Sequence, residues 1–101
     1  MKEIKTLAKR IRAELEDATE YAKLALQYRD SDRIASETYK QLAEQELEHS
    51  NKLHAQAVRL INEQKAKGVN APVAMQAVWD WEHENMIQAT AHVRMLLQEL
   101  R

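Results

Sequence analysis

The chain has 101 residues, 45% of them hydrophobic and 31% charged, and its formal net charge is -1 at pH 7. That length suits a single domain over residues 1–101, and the balanced charge excludes a global basic field for nucleic acid. Cysteine is absent, which excludes disulfides, thiolate metal ligands and a cysteine nucleophile. No apolar run follows Met1 or approaches the roughly 20 residues of a membrane span. We therefore expect no membrane contact and a cytoplasmic location.

The first long helix is predicted over residues 2–29, in a chain with one Gly and one Pro. Glu14 lies on the flank of its apolar stripe and is the acidic residue of this helix closest to the apolar face. A carboxylate at that position either pairs with a neighbouring Lys or Arg or belongs to a site. The stripe repeats at steps of three and four: Ile4, Ala8, Ile11, Leu15, Ala18, Ala22 and Ala25.

A short polar turn over residues 29–33 separates the first helix from the second. Ser31 or Asp32 can cap the second helix, and so short a connection makes the two helices antiparallel neighbours. The second helix is predicted over residues 33–67, with a length above about 50 Å at about 1.5 Å per residue. Gly68 is its natural left-handed stop.

Two chemistry-bearing residues lie near the apolar face of the second helix. Glu46 falls in the middle of the predicted stripe and His49 on its flank, one helical turn apart. A carboxylate within an apolar stripe is costly unless it is paired, protonated or bound to metal. Glu46-x-x-His49 can therefore hold one metal ion, whereas His54, on the other flank, is interpreted as a structural histidine. The predicted stripe comprises Ala35, Leu42, Leu53, Ala57 and Leu60.

The third helix is predicted from Pro72, after a turn in which Asn70 can cap, to the C-terminus. Glu82 lies in the middle of its stripe. The fold class is therefore all-α, with three long antiparallel helices. Because many core positions are Ala and Phe is absent, we expect self-association. The stripe comprises Met75, Val78, Trp79, Met86, Ala89, Val93, Leu96, Leu97 and Leu100.

Counting residues outward from the turn between the first two helices predicts which side chains lie at the same level. With the first turn centred near Ser31, Glu14 lies about 17 residues before it, and Glu46 and His49 about 15 and 18 after it, all at one level. Glu82 lies over about 10 Å from that level if the third helix folds back directly. It is then a structural acid, paired with a Lys near the start of the first helix. Glu82 is a metal ligand only if the third helix packs with another chain or in another register.

One chain supplies half of the ligands of a di-iron carboxylate site, which has about four carboxylates and two histidines. A two-fold dimer doubles Glu14, Glu46 and His49 to that count and would hold two iron ions. Oxygen and nitrogen ligands in this mix suit iron or manganese, and zinc is a substitute.

Part of the chain resembles rubrerythrin-like and encapsulated ferritins of the ferritin-like superfamily. The resemblance covers about half the chain, from Glu14 to Ile61, and is carried by Glu14-x-x-Asp17-x-x-x-Tyr21, Ile34-Ala35 and Leu42-Ala43-x-x-Glu46-Leu47-x-His49. It implies a half-bundle completed by homo-oligomerisation, with Glu14 bridging two irons and with Glu46 and His49 as further ligands. The implied activity is ferroxidase-type oxidation of Fe(II) by oxygen or peroxide, for iron handling or storage.

Some features depart from that family. The chain has no second Glu-x-x-His, and its C-terminal segment, residues 96–101, continues a helix where an encapsulating shell would bind a flexible cargo peptide. Two alternatives stay open. One is a non-enzymatic helical oligomerisation or adaptor module, in which Glu46 and Glu82 fix the register of the helices. The other is a structural metal site without redox chemistry.

Overall fold

The computed structural model describes residues 2–100, except for the side chain of Ala74. Over that range the chain forms three α-helices and no strand: α1 (Lys2–Tyr28), α2 (Arg33–Ala66) and α3 (Val73–Gln98). The molecule is a rod with principal extents of 56 × 19 × 18 Å. The prediction of an all-helical chain is confirmed, and the first two helices end within one residue of their predicted ends. None of these helices combines the length and apolarity that crossing a bilayer requires.

The start and the end of α2 follow the local sequence signals, whereas the start of α3 does not. The Asp32 carboxylate accepts a hydrogen bond of 3.0 Å from the backbone N–H of Ala35 and caps α2. Gly68 has a φ of 76°, the left-handed conformation that terminates a helix. The start of α3 differs from the prediction, because Pro72 precedes its first residue and no side chain caps it. Capping by Asn70 is therefore wrong.

A seam of small residues joins α1 and α2. The buried residues of α2 recur every seven positions: Ser36, Ala43, Ser50 and Ala57. The Ser36 hydroxyl donates a hydrogen bond of 2.7 Å across the seam to the carbonyl oxygen of Ala25. Small side chains allow the two backbones to approach closely, which is how a core rich in Ala still packs. On α1 the predicted stripe is buried apart from Ala8, which is half-buried.

The predicted apolar face of α2 is rotated away from the face that is buried, and of the predicted residues Ala57 alone is fully buried. The buried seam passes through Ala43 and Ser50, whereas Leu42, Leu53 and Leu60 are only half-buried. Glu46 therefore lies on the flank of the buried seam, between it and these leucines. The reason is that the small residues of α2, not its leucines, match the alanines of α1.

The third helix docks mainly on α1 and contacts α2 sparsely. Among the described residues of α3 only Val93 is fully buried, in a cluster with Ala18, Ala22 and Ala43. The partly buried Leu96 and Leu97 pack against this cluster. Val78, predicted in the apolar stripe, is 53% exposed, so that part of the stripe prediction is wrong. The docking of α3 is concentrated in its C-terminal half.

Candidate metal centre

Two helices bring together Glu14, Glu46 and His49. One ligand atom from each of the three lies within 4.8 Å of the others. His49 Nδ1 is 3.7 Å from Glu14 Oε2 and 3.8 Å from Glu46 Oε1. The residue count from the first turn predicts that these three side chains lie at one level, and the structure brings them together. Metal binding by the three residues stays a prediction.

The two carboxylates occupy equivalent positions beside the seam. Glu14 lies three residues after Ile11 and four before Ala18, and both of these are buried. Glu46 stands in the same relation to the buried Ala43 and Ser50. Because residues three and four apart share a helix face, each carboxylate lies next to the seam, and both lie on the same side of it. The close approach of the backbones then brings the two carboxylates within reach of each other.

The burial of the three side chains is uneven. The side chains of Glu14 and Glu46 are 16% and 17% exposed, whereas that of His49 is 52% exposed. Glu46 Oε2 is a buried atom without a hydrogen-bond partner in the described part of the chain. A buried carboxylate oxygen that lacks a donor is energetically costly. Such a cost is removed when the oxygen gains a hydrogen-bond donor or a cation as its partner.

Arg10 is the only cationic side chain that the described structure places in an ion pair with this group. Its guanidinium lies 3.8 Å from Glu14 Oε1 and its side chain is exposed. An exposed pair of this kind contributes little, because water screens it. Arg10 therefore offsets little of the charge that the two carboxylates carry when ionised.

The donor set fits a first-row transition metal. Carboxylate oxygen and imidazole nitrogen are ligands that iron, manganese and zinc accept. Bonds of about 2.1 Å place neighbouring ligand atoms about 3 Å apart around an octahedral ion. The side chains would have to close by roughly an ångström to bind one. The half-exposed His49 has the most freedom to do so.

Glu82 does not join this group in the structure. Its carboxylate forms an ion pair with Arg12 of α1, and the Glu82 side chain is 15% exposed. The Arg12 guanidinium also lies 5.7 Å from the ring centre of Trp81. The expected pairing of Glu82 with α1 is present, but the partner is an arginine in place of the predicted lysine.

The side chains of Glu14, Glu46 and His49, the candidate metal-ligand group, lie on the side of α1 and α2 that faces away from α3. Arg12 and Glu14 differ by about 200° around α1, and Arg12 is the residue that contacts α3. Likewise His54 of α2 contacts α3, while His49 lies about 140° from it around the helix. The α1–α2 face carrying the group is therefore not covered by the third helix.

Aromatic side chains extend this face toward the first turn. Tyr39 stacks between Tyr21 and Tyr28, with ring centres 6.3 Å and 5.9 Å away respectively. Tyr21 follows Glu14 by seven residues and Tyr39 precedes Glu46 by seven. All three tyrosines are half-buried, as are Leu42 and Leu53. The two carboxylates thus lie in a surface that combines apolar and polar side chains.

Two features of the structure are absent from the sequence-based predictions. One is the seven-residue repeat of small residues in α2, whose signal is visible in the sequence as Ser36, Ala43, Ser50 and Ala57. The other is a cluster of three rings, from His54, Trp79 and His83, between α2 and α3. Its signal is weak, because the rotation of α3 about its own axis decides which rings face α2.

Comparison with known proteins assigns no family to this chain. A scan against models of protein families, a search of curated proteins and a search of solved structures each found no match. The ferritin-like resemblance accordingly stays a prediction that rests on Glu14, Glu46, His49 and the residues around them.

Proposed function

We propose that this chain is a ferritin-like, antiparallel half-bundle that oxidises Fe(II) at a di-iron carboxylate site formed between two copies. The observation that carries the proposal is the convergence of Glu14, Glu46 and His49 within 4.8 Å. The orphaned Oε2 of Glu46 supports it, because a cation would give that oxygen its missing partner. Under this proposal the protein acts in the cytoplasm.

A second copy of the chain would supply the ligands that one chain lacks. Each chain offers two carboxylates and one imidazole, and di-iron carboxylate sites use about twice that number. Two copies related by a two-fold axis would place identical groups face to face. The half-buried tyrosines and leucines around the group would then be covered by the partner.

The residues have separable roles in the proposed reaction. The Glu14 and Glu46 carboxylates bind Fe(II) and, being anionic, stabilise the more highly charged Fe(III) product more strongly. His49 supplies an imidazole nitrogen ligand. Two Fe(II) ions give two electrons to one O₂, which takes up two protons and leaves as hydrogen peroxide.

The test is an anaerobic titration of the metal-free protein with Fe(II), followed by admission of oxygen. We expect saturation near one iron per chain and oxidation faster than in buffer alone. Glu46→Ala should lose both while keeping its helicity. The matched control is Glu48→Ala, because Glu48 lies on the same helix but is exposed, and within the described residues its only ion pair is with Lys52. Wild-type protein that retains no iron would refute the proposal.

A second candidate function is an oligomerising helical module without redox activity. The Arg12–Glu82 ion pair favours it, because a partly buried charged pair between helices can fix their register. In that case the assembly state and melting temperature would not respond to metal. Tight metal binding without oxygen consumption would instead indicate a structural metal site.

A further inference from the structure

In the described structure no side chain in the N-terminal half of α3 is fully buried. Four of its large apolar side chains are exposed: Val73, Val78, Trp81 and Ile87. Two open grooves of about 630 Å³ and 600 Å³ lie beside it, one against α1 and one between the ends of all three helices. Because the fully buried Val93 lies in the other half, the position of this half depends on a small number of side chains.

Three stacked rings form a contact between this half of α3 and α2. The ring of His54 lies 5.2 Å from that of His83 and 6.3 Å from that of Trp79, with interplanar angles of 14° and 4°. Trp79 and His83 are 6.2 Å apart on α3. Two imidazoles at this distance are compatible as neutral rings, but they repel each other when both are protonated.

The charged groups around the rings do not neutralise them. Within residues 2–100 neither His54 nor His83 forms an ion pair with a carboxylate. Glu82, next to His83, has its carboxylate paired with Arg12 of α1. The remaining titratable or charged groups that line the two grooves are Glu16 and His92 in the first groove, and Lys5, Lys65 and Asp80 in the second.

We propose that His54, Trp79 and His83 form an acid-released clasp. With both imidazoles neutral, the stacked rings hold residues 73–90 of α3 against α2. Protonation of both imidazoles separates the rings and frees this half from α2, while the Arg12–Glu82 ion pair and the cluster around Val93 keep α3 on α1. The clasp is independent of the metal-ligand group, which lies on the opposite face of α1 and α2.

The direction of the pH effect follows from burial and repulsion. Burial of the ring lowers the pKa of His54, and the nearby His83 lowers that pKa further. In the released form the His54 ring is in water, where a histidine has its ordinary pKa of about 6.5. The released form therefore binds protons at a higher pH than the closed form. Closure is favoured fully above about pH 6.5, and that preference is lost as the pH falls through the lowered pKa of His54.

Hydrogen exchange of the full chain at about pH 7.5 and about pH 5, corrected for intrinsic exchange rates, tests the clasp. We expect protection of residues 73–90 to fall about tenfold at the lower pH, with residues 91–98 unchanged. His54→Phe keeps a ring that cannot be protonated, so it should retain protection at the lower pH. His83→Phe removes the repulsion between the rings but leaves His54 buried, so it should lose less protection than wild type. His92→Gln, on α3 but outside the cluster, should behave as wild type.

Two outcomes would overturn the clasp. One is wild-type protection that does not change with pH. The other is an equal loss of protection in wild type and in the phenylalanine variants. If both variants already lack protection at neutral pH, an NMR titration of wild type decides the question. The midpoint of opening must then follow the ring protons of His54, and a midpoint that follows His92 contradicts the proposal.

Discussion

Glu14 on α1 and His49 on α2 place a carboxylate oxygen and an imidazole nitrogen 3.7 Å apart. The contact joins residues from two helices and is set by the register of the α1–α2 pair. Ser36 contacts Ala25 near the first turn, and His49 follows Ser36 by 13 residues while Glu14 precedes Ala25 by 11. Any change that shifts this register will move His49 away from Glu14.

Replacing Glu46 with Leu should separate metal binding from stability. Without metal, the variant should be as stable as wild type or more stable by about 1 kcal/mol, because a partly buried carboxylate with an orphaned oxygen is removed. With metal at about 100 times its dissociation constant, wild type should gain about 2.7 kcal/mol and the variant nothing. Thermal melts with and without Mn(II), which avoids iron oxidation, measure both effects. An equal metal response in the two proteins would remove Glu46 from the site.

Replacing His49 with Ala should weaken metal binding at almost no cost to folding. The His49 side chain is 52% exposed, so little buried surface is lost, and we expect a change in unfolding free energy within about 0.5 kcal/mol. The affinity for metal, measured by calorimetry, should fall at least about tenfold because a direct ligand is lost. His92→Ala, an exposed histidine on α3, is the control and should bind as wild type does.

Replacing Ala43 with Leu should disrupt the seam between α1 and α2. Ala43 is completely buried in the cluster with Ala18 and Ala22, so a larger side chain forces the helices apart at a cost of about 1–3 kcal/mol. Urea denaturation followed by circular dichroism measures the cost. Ala55→Leu, at an exposed position of the same helix, should change stability by less than about 0.5 kcal/mol. Similar effects in the two variants would show that the seam is not tightly packed.

The ion pair between Arg12 and Glu82 should be detectable by a double-mutant cycle. Arg12→Ala leaves the mostly buried Glu82 carboxylate without its partner, and we expect a loss of about 1–2 kcal/mol, since Arg12 itself is half-exposed. Adding Glu82→Gln removes the uncompensated charge and should restore part of the loss. Additive effects of the two substitutions would mean that the pair does not couple α1 to α3.

The sequence by itself determined that there are three helices, where the first two of them end, and where the candidate ligands lie along them. These features depend on local information: apolar periodicity, the cap at Asp32 and the left-handed Gly68. Glu14 and Glu46 could be placed at one level because a short turn leaves little freedom in the register of two helices. The seven-residue spacing of Glu46 from Tyr39 and of Glu14 from Tyr21 is readable in the same way.

Only the tertiary structure decided how each helix is rotated about its axis. Apolar residues occur around more than one face of α2, so the seam through Ala43 and Ser50 is selected by its fit to the alanines of α1. The same competition decides that Glu82 meets Arg12, that Val78 stays in water and that His54 stacks on His83. Each of these outcomes depends on packing against two other helices at once, and the periodicity of a single helix does not contain that information.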